Sequence, residues 1–245
     1  HIDPNRRPAG KRTTRVDLYE PGPEVIDRLR GRQPSVAVKL APAAVLPDAW
    51  TAEAEQEWIS HDGECKQLVA WFGSVAAGSA QRRATRLTND GRSYTIVGEP
   101  NIPIPLASAV RRWLFEPDPA VLAAGLSGAV AGRHALHAIC PQVAYLTGDS
   151  PVSDPLVDSF EISDVLPFDV GRLKRLVRDR RIGDLEIKKR GITCDPAHVR
   201  RQLQPKGDAR ATLIVTRQAD RVIALVARRH IEPTPLDPPS DANLR

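Results

Sequence analysis

The stretch "HIDPNRRP" (His1–Pro8) decides how the fold is read. Ile2 reads as the carboxyl end of a strand, and Asp3-Pro4 stops it, because the proline ring fixes φ and removes a backbone donor. Asn5 and the Arg6-Arg7 pair then lead away as a turn. In an open α/β sheet this is where ligands bind, outside the carboxyl ends of the strands. A carboxylate placed there holds a donor group of a substrate. Asp-Pro-Asn is equally ordinary turn chemistry, and Arg6 and Arg7 equally read as solvated charge.

Outward from this turn, strand and helix signals alternate. "GPEVIDRLRGR" (22–32) spaces Val25, Ile26 and Leu29 as a helix, with prolines before it and Gly31 near its end. "PSVAVKLAP" (34–42) is a Val-rich strand between prolines, and "EQEWIS" (55–60) is another. "GECKQLVAWFGSVA" (63–76) reads as a helix after an Asp62-Gly63 turn, and "RRATRLT" (82–88) as a strand. Strands alternating with helices predict an α/β sheet. The stretch 89–110 is rich in Gly, Pro and Asn and reads as a linker with little regular structure.

A second block follows. "RRWLFEPD" (111–118) is a strand, "PAVLAAGLSGAVAGR" (119–133) a small-residue helix, and "QVAYLTGD" (142–149) and "DSFEISDVLP" (158–167) two strands. "DVGRLKRLVRDRRI" (169–182) is a basic amphipathic helix leading to the strand "DLEIKKRGI" (184–192). "DPAHVRRQL" (195–203) starts with a good cap pair, and "ATLIVTR" (211–217) and "RVIALVARR" (221–229) pair as a hairpin. The order β-α-β-β-α-β with one extra helix and strand gives a ferredoxin-like plan. The end, 232–245, has the composition of a disordered tail.

Composition bounds the function. The 245 residues carry a formal net charge of +5 and only 4% aromatics, which permits a polyanionic partner but not a surface paved with stacking rings. Apolar runs stop well short of the ~18 residues a membrane helix needs. Cys65, Cys140 and Cys194 are far apart and odd in number, which argues against a disulfide framework and places the chain in a reducing compartment, the cytoplasm. No histidine lies near a cysteine at ligand spacing, so no metal site is expected. Lys39 closes its strand beside the Asp3 turn. Lys174, Arg178 and Arg181 fall on one face of the basic helix, opposite Leu173, Leu176 and Val177, and Lys188, Lys189 and Arg190 follow. Such a patch tracks a nucleic-acid backbone or is simply solvated.

The strand ending in Asp-Pro with Arg-Arg behind it resembles the fourth motif of class I S-adenosylmethionine-dependent methyltransferases. In series with "LYEPGPEVIDRL", "VAVKLAP", "EQEWISHDGECKQLVAWFG", "RWLFEPDPAVLAAGL", "LEIKKRG" and "ATLIVTR", it resembles the bacterial family that joins this domain to a THUMP-like one. The resemblance implies the carboxyl-terminal half of a Rossmann-like methyltransferase sheet over 1–90, a linker over 91–104, and an α+β ferredoxin-like, THUMP-like domain over 105–231. It implies S-adenosylmethionine as cofactor, with a Gly-rich loop and a ribose-binding acid expected upstream of His1, so that this stretch alone is expected to be inactive. Asp3, Pro4, Asn5, Arg6 and Arg7 become the catalytic candidates, Asp3 also facing the cofactor. Lys39, Lys174, Arg178, Arg181, Lys188, Lys189 and Arg190 become substrate-binding candidates for structured RNA, transfer or ribosomal. Asn5 and Arg6 stand where the amine-methylating pattern has proline and an aromatic ring, which leaves base stacking unsupported. A non-catalytic RNA- or protein-binding module and a small-molecule methyltransferase are the alternatives.

Overall fold

The computed structural model describes residues 1–8, 10–78 and 80–230, and the expected disordered tail lies outside them. The first sheet contains β1 (Val36–Leu40), β2 (Glu55–His61), β3 (Glu64–Phe72), β4 (Arg82–Leu87) and β5 (Ser93–Gly98), in the order β1-β3-β2-β4-β5. β1 is buried along its length except for half-buried Lys39, as expected of a strand covered on both faces. On its free side Ile2 bridges Val38 in parallel, the Ile2 amide donating to the Ala37 carbonyl at 2.8 Å and the Lys39 amide to the Ile2 carbonyl at 2.9 Å. The opening residues therefore do end a strand position beside β1. Helix α1 (Pro23–Arg32) starts with proline after Gly22 and buries Ile26; α2 (Asp48–Glu53) buries Trp50.

Two sequence expectations fail in this half. The stretch 63–76 is strand β3 rather than a helix, with only a 3₁₀ turn at Gly73–Val75. The cause is the turn before it: Asp62 and Gly63 have φ of 52° and 71°, a two-residue primed hairpin that returns the chain antiparallel to β2. Residues 91–104 carry more than a linker, since β5 pairs antiparallel with β4 from Leu87↔Ser93 to Arg82↔Gly98.

The second sheet has seven strands, β6 (Trp113–Pro117), β7 (His137–Cys140), β8 (Val143–Gly148), β9 (Val157–Pro167), β10 (Ile182–Lys189), β11 (Ala209–Gln218) and β12 (Arg221–His230). Their order is β10-β11-β12-β9-β6-β8-β7, with only β10 and β11 parallel. The small-residue helix is two, α3 (Pro119–Ala124) and α4 (Ser127–Arg133), parted by Gly125 at φ 72°. Helices α5 (Val170–Asp179) and α6 (Pro196–Leu203) cover β10 to β12. The α+β character stands, but the element order differs from β-α-β-β-α-β: β7 is an additional strand, and β10 lies at the far edge.

The core crosses from one sheet to the other. Val38, Leu40, Leu68 and Ala84 share one cluster with Ala120, Val121 and Val130 of α3 and α4, and with Phe115 and Leu146 of the second sheet. Leu173, Leu185, Val199 and Leu213 form the layer under α5 and α6. The opposite face of the same strands, Ile214 and Leu225, packs against Tyr145, Phe160 and Ile139. The second sheet thus buries both faces of its centre.

Candidate functional site

β1 and β2 are both antiparallel to β3, and β4 is parallel to β2, so their carboxyl ends share one edge of the first sheet with Asp3. At that edge the Lys39 ammonium lies 2.8 Å from Asp3 Oδ2, their side chains 29% and 47% exposed. The contact follows from register, because Lys39 is the residue whose amide reaches back to Ile2. Pro4 is buried. Asn5 is engaged by the local fold: its backbone exchanges hydrogen bonds with Glu20 at 2.7 and 3.2 Å, and its Oδ1 accepts from the Arg7 amide at 2.9 Å. Arg6 is half-buried and Arg7 exposed, and neither guanidinium has a partner among the described residues. Of the opening candidates, the structure brings together Asp3 and Lys39.

The basic candidates of the second block divide. Lys174 and Arg178 are exposed on α5, opposite buried Leu173 and Val177, and Arg178 pairs with Asp179 at 3.0 Å. Arg181 lies past the helix end at φ 52° and pairs with Asp208 at 3.1 Å, so it does not extend the helical face. Lys188, Lys189 and Arg190 do not form one patch, because side chains on a strand alternate between faces. The Lys189 ammonium donates to the Cys194 carbonyl at 2.6 Å. Lys188 and Arg190 turn inward and clamp Glu116 at 2.5 and 2.9 Å, and they lie over the Phe160 and Tyr145 rings, each 5.4 Å from the centroid.

These inward charges line a cleft of about 440 Å³ where the second block meets the carboxyl edge of the first sheet. Ser60, ending β2, donates to Asp118 Oδ1 at 2.5 Å, and the same oxygen caps α3 by accepting from the Ala120 amide at 2.8 Å. Arg86 of β4 lies 3.7 Å from both Asp118 and Asp158. Arg229 joins Asp158 at 2.7 Å to Glu186 at 3.3 Å. Burial pushes the Asp118 carboxyl above its usual range, against the pull of Ser60, the Ala120 amide and Arg86. Burial also pushes the Cys65 thiol up to about 11, with Asp118 adding to it. The sequence reaches this cleft through Lys188 and Arg190, through Ser60 at the end of its strand and through the Asp118-Pro119 cap; Arg86, Glu116, Asp158 and Arg229 carry no local mark. The "EWIS" end of β2 is interior: the Trp58 indole donates to the Pro42 carbonyl at 2.9 Å, and Glu57 accepts from Thr85 at 2.6 Å and Trp71 at 2.9 Å.

Among the described residues, no group of three or more His, Cys, Asp or Glu is placed to hold a metal ion, and no helix is long and apolar enough to cross a membrane. The three cysteines are unpaired.

Comparison with known proteins bears on both halves. Residues 157–229 match the THUMP domain-like family. Two proteins of Mycobacterium tuberculosis strains, each named an uncharacterized S-adenosylmethionine-dependent methyltransferase, are 34% identical over 222 residues, covering 88% of this chain and 59% of theirs. The chain thus spans little more than half the length of these curated relatives. The crystal structure of a putative methyltransferase from Porphyromonas gingivalis superposes with a TM-score of 0.75 at 23% identity, over 93% of this chain and 58% of that one, which supports the fold. The chain is therefore similar to proteins named S-adenosylmethionine-dependent methyltransferases, and its residues 157–229, over β9 to β12, match the THUMP-like family.

Proposed function

We propose that the protein carrying this chain transfers the methyl group of S-adenosylmethionine to structured RNA in the cytoplasm, with Asp3 at the methyl-acceptor site and the THUMP-like region presenting the RNA. The observation that carries this reading is the Asp3–Lys39 pair at the carboxyl edge of the first sheet. Methyl transfer needs an acceptor atom held in line with the methyl donor, and no covalent residue. Asp3 accepts a hydrogen bond from the acceptor group and fixes its direction. Lys39 engages one oxygen of that carboxylate, Oδ2, and the other has no partner among the described residues. Lys174, with its neighbour Arg175, offers the exposed cations for the RNA backbone, since neither has a partner among the described residues.

The described residues fit only one edge of the cofactor's pocket. Gly191, between the parallel strand β10 and α6, belongs to the second sheet and not to the Asp3 edge. Asp3 and the Pro4 turn are the groups that would border the cofactor, which supplies the methyl group. The same observation favours a second reading, a nucleic-acid-binding module without catalysis. Transfer of tritiated methyl groups from S-adenosylmethionine to bulk bacterial RNA by the full-length protein separates the two. Asp3→Ala is expected to lower it at least tenfold with RNA affinity unchanged. Transfer at the wild-type rate by Asp3→Ala would remove Asp3 from the site, and no cofactor binding in calorimetry would leave the module.

A further inference from the structure

The described residues contain a second cleft that neither the Asp3 edge nor the Glu116 cluster uses. It has a volume of about 580 Å³ and is lined by Phe168, Gly191, Ile192, Thr193, Arg217 and Val222, among others. β10 and β11 run parallel and both end there, at Lys189 and Gln218, the end of a parallel pair where ligands bind. Arg217 points to the helix-covered side of the sheet, two residues beyond buried Val215. It is exposed, and its guanidinium makes no hydrogen bond or ion pair among the described residues. This sets it apart from Arg181, Arg190 and Arg229, each of which faces a carboxylate.

The loop opposite Arg217 is built with its donors free. The amides of Gly191, Ile192, Thr193 and Cys194 donate to no described residue, and the Thr193 hydroxyl has no partner either. The loop is nonetheless braced. Lys189 holds the Cys194 carbonyl at 2.6 Å, and Gly191, at φ 70°, lies so close to Val143 that a Cβ would sit 2.7 Å from its Cγ2. Phe168, Ile192 and Val222 supply apolar walls, each half-buried. The cleft's volume falls in the range of about 300–1,000 Å³ typical of small-molecule sites, with room beyond a bare anion.

A guanidinium and free amides beside an aromatic ring match the two halves of a nucleotide, since arginine binds phosphate in a fork and bases stack on aromatic faces. We propose that this cleft binds one nucleotide, its phosphate on Arg217 and the Gly191–Cys194 loop and its base against Phe168. The unit is either a free nucleotide or one residue of a single strand. Only the second source rests on the RNA reading above.

Titration of the isotopically labelled protein with AMP, followed by amide NMR, tests the site directly. Shifts are expected at Gly191 to Cys194 and Arg217, and Arg217→Ala is expected to weaken AMP binding about tenfold, as loss of one charged hydrogen-bonding group does. Shifts confined to other surfaces, none at all, or an affinity unchanged in Arg217→Ala would overturn the proposal. Arg217 is exposed, so its variant folds; Arg217→Lys is expected to recover part of the affinity. A labelled single-stranded oligoadenylate that competes with AMP, with a salt slope smaller by about 0.7 in Arg217→Ala, identifies a strand as the source. Failure to compete identifies the free nucleotide. Methyl transfer to RNA plays no part in these readouts, so its absence leaves them intact.

Discussion

Ser60 at the end of β2 and Asp118 at the start of α3, fifty-eight residues apart, share a 2.5 Å hydrogen bond in the interior. The bond ties the carboxyl edge of the first sheet to the helix that follows β6 of the second. Asp118 is doubly used, because the oxygen that meets Ser60 also caps α3. Asp118→Ala removes both interactions and leaves a buried hydroxyl unpaired, so a loss of about 3 kcal/mol in urea unfolding is expected. Ser60→Ala keeps the cap and is expected to cost about 1 kcal/mol. Equal effects of the two would contradict a shared oxygen.

The same carboxyl gives stability an unusual pH slope. Burial raises its pKa above the unfolded value, so between the two values the folded state binds more protons than the unfolded. Its contribution is therefore full below the unfolded value and is lost as pH rises through the folded one. Asp154 has the opposite sign. Burial alone would raise it, but His134, the Leu156 amide and Arg133 together hold it below its usual range, so its contribution is lost as pH falls. Asp118→Asn isolates the first effect: wild-type stability minus that of the variant should decline as pH rises above about 4. A rising or flat difference would rule this out.

Glu116 holds two cations at once in a largely buried position. Glu116→Ala leaves Lys188 and Arg190 facing each other, and a cost of about 3 kcal/mol is expected from calorimetry or denaturant unfolding. Pairing also predicts which lysines matter for nucleic acid. Lys174→Ala with Arg175→Ala should flatten the salt dependence of RNA binding, by about 0.7–0.9 for each phosphate no longer neutralised. Lys188→Ala should leave that slope unchanged while destabilising the fold.

The Asp62-Gly63 hairpin is the hinge on which β3 depends. Gly63 stands at φ 71° with nothing within 4 Å of the place a Cβ would occupy, so Gly63→Ala meets backbone strain and no clash. A loss of about 1 kcal/mol is expected, read as a lower denaturation midpoint at unchanged slope.

Local features follow from the order of residues alone. Pro23 after Gly22, the Asp195-Pro196 cap and the Val-rich run of β1 act through neighbouring dihedrals and burial, and they appear where their residues place them. The Asp3-Pro4 stop is local in the same way, but its place as a strand end is not, since Ile2 pairs with β1 and Asn5 with Glu20. β3 escapes a reading by periodicity because a short apolar run fits helix and strand alike; the Asp-Gly turn beside it decides the matter. Which charges are free is settled by packing between distant segments. Lys188 and Lys189 are adjacent, yet one clamps Glu116 and the other braces a loop carbonyl. Strand alternation sends them to opposite faces, and only the assembled sheet and its covering layers fix what waits on each face. Lys39 meets Asp3 for the same reason: parallel register, not sequence distance, puts an ammonium beside a carboxylate at the edge of a sheet.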